Sequence, residues 1–314
     1  MRRHQIMTIN ETLTMTALLL APAFFSLLGM AAFGSPVVAV LGEIAAKTKS
    51  KVFYDKYGQQ TASMGLVLLI LILIIQGAAI GVAYTKFPQF IQQFFTAETP
   101  LLKAFIAFGA FIIFALPYLT LWKKMRQSKG FHMFLGIGAA LASICLIALG
   151  VPAKLMATLP TETVQEQLAL GAQSMFLPMA IMYTLLTIVA AAGLSCTYLV
   201  LRRKKDDFGR DYYNFSLKLA ARWATIPMFG FLACQGWLFT TLPANFKTMV
   251  LGTPLGIVWA AGCAMGFICA IVWILIARSE KPLQLKGLTF LGCLLMWLMH
   301  TANATLFVNF MSMF

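Results

Sequence analysis

Residues 61–84 read TASMGLVLLILILIIQGAAIGVAY, and residues 219–242 read LAARWATIPMFGFLACQGWLFTTL. The first has no charged residue and is long enough to cross a bilayer, whose hydrocarbon core of about 30 Å needs about 20 residues of helix. The second carries a matching polar break at a similar depth: Gln76-Gly77 is answered by Gln235-Gly236. Working outward, the echo continues. Pro22 is answered by Pro178, and Lys129-Gly130 by Lys286-Gly287. Spaced self-similarity of this kind sets the architecture before any single motif does.

Eight apolar stretches follow from this reading: Thr12–Ile44, Thr61–Tyr84, Leu101–Trp122, Phe131–Met156, Ser174–Leu201, Leu219–Leu242, Pro254–Ala277 and Leu288–Phe314. Backbone polar groups in lipid must be satisfied within the segment, so such runs are helices. The expected fold is an all-α polytopic membrane protein of eight transmembrane helices. It is arranged as two parallel four-helix repeats, residues 1–158 and 159–314. An even number of spans per repeat keeps the two halves in the same orientation.

The chain is 60% hydrophobic and 11% charged, with a net charge of +14. That charge does not point to nucleic acid, because most of the 24 lysines and arginines gather in four loops, after the first, third, fifth and seventh spans. Positive residues are retained on the cytoplasmic side. Both termini are therefore expected outside, in a multi-pass protein of a bacterial-type inner membrane. The loop Leu159–Leu168, with Glu162 and Glu166, is expected outside as well. Two basic loops also hold aromatics, Val52–Tyr57 and Phe208–Tyr213. Interfacial anchoring helices or a docking face for a cytoplasmic partner are the two expectations for them.

Polar residues within the spans are few and therefore informative, because they are costly in lipid. His300 lies near the middle of the eighth span, with Asn303 one turn on. A haem ligand, a structural hydrogen bond, and a proton-relay or quinone contact are the readings open to it. His132 sits at the basic start of the fourth span and differs from His300 in depth by roughly 15–20 Å, too far for shared ligation. His4 precedes the membrane. Gln76 and Gln235 are expected to hydrogen-bond across the bundle or to line a polar cavity. Gly77 and Gly81, like Gly138 with Ala142 and Gly262 with Gly266, have the spacing of close helix contacts. Pro22, Pro36, Pro117, Pro152, Pro178 and Pro227 are expected to kink or end helices. Glu43 closes the first span. The six cysteines fall in apolar spans without metal-site spacing, so no metal site is expected. No paired carboxylate, Ser/His/Asp set, phosphate loop or HExxH helix is present, which counts against hydrolytic and phosphoryl chemistry.

The second span continues Gly77-Ala78-Ala79-Ile80-Gly81 and then Val82-Ala83-Tyr84-Thr85-Lys86. From the first span through the second, the chain resembles the start of the catalytic subunit, subunit I, of cytochrome bd quinol oxidases. That family carries G-V-A-T-G-x-x-x-E-F here. The glycine spacing fits, whereas Thr85 stands for the glutamate and Lys86 for the phenylalanine. The resemblance implies two four-helix bundles and an outside N-terminus. The family's axial histidines lie in the first and fifth spans, where this chain has none. The resemblance therefore implies a relative without the oxygen-reducing haem site: a subunit of a respiratory electron-transfer assembly, paired with a cytochrome or iron–sulfur protein, with quinone or a b-type haem as the cofactor to test at His300. A parallel-repeat transporter or channel for a small solute, and a non-catalytic membrane scaffold, are the alternatives that the residues leave open.

Overall fold

The computed structural model describes residues 8–88, 100–156, 161–206 and 208–311. His4 lies outside them. Among the described residues the chain forms eleven α-helices and no strand. They are α1 (Ile9–Leu18), α2 (Leu20–Lys49), α3 (Val52–Lys86), α4 (Pro100–Thr120), α5 (Lys129–Met156), α6 (Thr161–Ala169), α7 (Phe176–Asp206), α8 (Arg210–Thr241), α9 (Ala244–Gly252), α10 (Pro254–Arg278) and α11 (Lys286–Met311).

Seven helices are long and apolar enough to cross a membrane. Of the eight stretches expected, the sixth differs. Arg210–Thr241 qualifies only together with Phe246–Gly252, from which it is bent by 118°. Its charge-free stretch, residues 223–241, carries Trp223, Pro227, Gln235 and Trp237, which lower its hydropathy. The first stretch also differs, because it is broken at Leu19 into α1 and α2. Pro22 explains the break: it has no N–H to offer the Leu18 carbonyl, and its ring crowds that position. Pro36, Pro117 and Pro227, expected to kink or end helices, sit inside continuous ones. The loop expected before the fifth span holds the short helix α6.

Neighbours along the chain pack as pairs: α2 with α3, α4 with α5, α7 with α8, and α10 with α11. The centre is made by α2, α5, α7 and α11. The α2–α7 contact joins the halves, and α2 also meets α11 while α7 meets α5. Glycine permits the central crossing. A Cβ on Gly34 of α2 would strike the Thr187 backbone carbonyl of α7. Gly42 and Gly58 do the same work between α2 and α3, where an added Cβ would come within 3.0 Å of the Tyr54 carbonyl oxygen and within 2.8 Å of the Ala39 carbonyl oxygen. A Cβ added at Gly266 would come within 3.0 Å of the Met299 sulfur of α11. Gly77 and Gly81 do not behave this way. A Cβ at either meets nothing within 4 Å, so the packing expected of them is not made within this chain. They lie on the outer half of α3, whose apolar window is only 11% buried.

The two basic aromatic segments are neither separate anchoring helices nor a free docking face. They are the first turns of α3 and α8, and they clasp each other. Phe53 meets Tyr212 and Phe215 edge-on or tilted at 5.7 and 5.6 Å, and Tyr57 meets Trp223 at 5.5 Å. Lys51 sits over the Phe215 ring at 4.2 Å, and Lys56 over Phe208 at 4.7 Å. Polar bonds run through the same contact. Tyr212 donates to Gln60 Oε1 (2.7 Å), and Gln60 Nε2 donates to Asp206 (3.0 Å). Arg202 holds Asp206 by two bonds.

Candidate functional site

Four of the polar positions expected in the membrane line two adjoining cavities: Gln76 and His300 in one, Gln235 and Asn303 in the other. His300, on α11, is 3% exposed. Its Nε2 shares a 3.1 Å hydrogen bond with Ser26 Oγ of α2, one turn beyond Pro22. Its Nδ1 is buried and makes no hydrogen bond among the described residues. Trp297, nearly one turn earlier, donates to the Leu20 carbonyl at 2.8 Å, which ties α11 to α2 just past the break.

Beside the imidazole lies a cavity of about 490 Å³, between α2, α3, α5, α7 and α11. Ser26, Gln76, Tyr183 and His300 give it polar groups, while Phe25, Phe33 and Phe307 are among the apolar walls. Among the described residues no carboxylate lines it. It is therefore a neutral site, apolar with a few directed polar groups, as small-molecule sites are.

The two glutamines expected to be equivalent take different roles. Gln76 faces the cavity. Gln235 is buried and bonded: its Nε2 donates to Asn303 Oδ1 at 2.8 Å, and it accepts from Trp259 Nε1 at 3.3 Å. The second cavity, about 90 Å³, is lined by Gln235, Asn303 and Trp259, and Tyr183 lies in the walls of both cavities.

The residues fit a b-type haem poorly. An axial histidine needs a nitrogen directed at the iron. Here Nε2 is turned to Ser26 and Nδ1 has no exposed surface. His132 has both ring nitrogens engaged elsewhere. A flat ring with hydrogen-bond acceptors at its ends suits the donors present, the Gln76 amide and the Ser26 hydroxyl.

The residues that sequence reasoning passed over lie at the opposite, basic end. Glu43 of α2 and His132 of α5 are 3% and 2% exposed. Both carboxylate oxygens stand 3.0 Å from His132 Nδ1, and Nε2 stands 3.1 Å from the Tyr118 carbonyl. The rings of Tyr118 and Trp122 each lie 4.6 Å from the imidazole. The signal available was weak: a carboxylate and a histidine at the same end of two spans, separated by 89 residues.

No protein-family model and no curated protein matches the chain. Among solved structures, it is similar to the bd oxidase from Geobacillus thermodenitrificans, with a TM-score of 0.68 and 13% identity, over 96% of this chain and 87% of that one. At that identity the likeness concerns the fold, and it extends over nearly the whole chain. What the helices build is a membrane scaffold of bd-oxidase-like fold.

Proposed function

We propose that the chain is a membrane subunit of a respiratory electron-transfer assembly, that it holds a quinone in the His300 cavity, and that it carries no oxidase haem site. The observation that carries this reading is the neutral cavity beside Ser26, Gln76 and His300, set in a fold similar to that of a bd oxidase. A bound quinone would supply electron and proton carriage in the membrane. This chain's residues would hold it: the Gln76 amide and the Ser26 hydroxyl donate hydrogen bonds, His300 fixes the serine, and the phenylalanines exclude water. Partner subunits bearing a cytochrome or iron–sulfur centre belong to the same proposal. So do the two four-helix repeats, the outside termini and the inner-membrane location. The recurring order of helix pairs in the two halves supports the repeats.

The test is an absorption spectrum of the purified protein, oxidised and reduced, with extraction and chromatography of bound quinone. The expected result is no haem band and stoichiometric quinone, lost in Ser26→Ala and Gln76→Leu. A haem band lost in His300→Ala, or a protein that retains no quinone, would overturn the reading.

A further inference from the structure

The Glu43–His132 pair is separate from the His300 cavity and uses none of its residues. A carbonyl only accepts, so the bond from His132 Nε2 to the Tyr118 carbonyl requires a proton on Nε2. Nδ1 then faces a carboxylate that also only accepts when ionised. One further proton must lie between them, either as imidazolium with carboxylate or as neutral imidazole with carboxylic acid. In both forms the pair is neutral overall and holds one shared proton. Removing that proton sets two acceptors against each other at 3.0 Å. Adding another leaves a buried net charge.

Both side chains are almost fully buried, yet open space adjoins them. Glu43 stands in the wall of two cavities at the basic end, of about 490 and 330 Å³. His132 lines the second. Asp55 and Lys129 border both, joined by a 2.8 Å ion pair. The other charged groups around them are Lys47 of α2, Lys51 and Lys56 of α3, and Lys123 before α5. From α4 the pair is faced by Tyr118.

We infer that Glu43 and His132 form a proton-exchange site, entered by water beside the Lys129–Asp55 ion pair. The two carboxylate oxygens lie at the same distance from Nδ1, which gives the exchange a route. A cavity water gives a proton to one oxygen, the Nδ1 proton passes through the other oxygen to the hydroxide so formed, and the carboxyl proton takes its place on the Nδ1 side. Charge and atoms are the same before and after, and no electron moves.

The test uses the full chain in lipid nanodiscs with ring-¹⁵N histidine, the His132 signals being assigned by their loss in His132→Asn. Solvent exchange of the His132 Nδ1 proton is compared with that of the α5 backbone amides. The expected result is an Nδ1 proton that exchanges faster than those amides while Nε2 stays protonated. Lys129→Ala is expected to accelerate the exchange by up to about fivefold, the range open to one exposed ion pair. Glu43→Gln is expected to remove the fast-exchanging proton. An Nδ1 proton as protected as the surrounding helix would overturn the inference and leave a structural staple. Exchange unchanged in Lys129→Ala would overturn the route. Either failure leaves the quinone reading as it stood.

Discussion

Gln235 and Gln76 show how much one residue's surroundings decide. Their sequence settings match, yet Gln235 bonds to Asn303 and Trp259 while Gln76 faces a cavity. Gln235→Leu should therefore lower the melting temperature in detergent, each lost bond between helices costing about 0.6–2 kcal/mol. Gln76→Leu should leave the melting temperature nearly unchanged and alter only what the cavity holds. A thermal melt of the two variants side by side checks both. His300 was legible from its depth alone, because an imidazole in lipid requires a reason. Its partner Ser26 was not, since 274 residues separate the two and hydroxyls are common in such helices.

At the scale of helices, close approach rather than glycine spacing selects the important positions. Gly34→Ala places a methyl against the Thr187 backbone, which cannot move aside as a side chain can. A loss of about 1–3 kcal/mol is expected. Gly77→Ala and Gly81→Ala meet open space and should be neutral or slightly stabilising, since alanine is favoured over glycine in a helix by about 1 kcal/mol. Denaturation of the three variants in one detergent compares them directly.

The start of α1 has a pH dependence of known sign. The Thr8 backbone N–H and hydroxyl donate to Glu11 at 2.7 and 3.0 Å and hold its carboxyl below the usual range. The cap is thus complete above the ordinary carboxylate pKa and is lost as the pH falls through the lowered one. Chemical shifts of the first turn should report fraying in that acid range, and Glu11→Gln should remove the pH dependence, whereas Thr8→Ala, which keeps the backbone donor, should only weaken it.

At the scale of the molecule, the clasp between the first turns of α3 and α8 fixes the two halves at their basic end. Gln60→Leu strands the Tyr212 hydroxyl, while Asp206 keeps its two bonds from Arg202 but loses its link across the clasp. Unsatisfied buried groups cost about 1–3 kcal/mol each. Dipolar spectroscopy between labels at positions 56 and 210, in a background free of the six cysteines, should show a broadened distance distribution. The orientation has its own check. Lys204→Cys should react with an impermeant maleimide only from the cytoplasmic side, the side on which basic loops are generally retained.

The sequence by itself determined that this is a helical membrane protein, where nearly all of its helices fall, and which few polar residues, His300 among them, lie within the apolar spans. Those properties follow from local hydropathy and from the cost of polar groups in lipid, and each is readable within a window of about 20 residues. The break at Leu19 belongs to the same class, because a proline acts on its own turn. The tertiary structure decided what could not be read locally. It joined Glu43 to His132 and Gln60 to Tyr212, and it left Gly77 and Gly81 facing outward. These are contacts between residues far apart in the chain. Their geometry depends on how helices rotate about their own axes, and helices that are apolar all round carry no stripe to announce it.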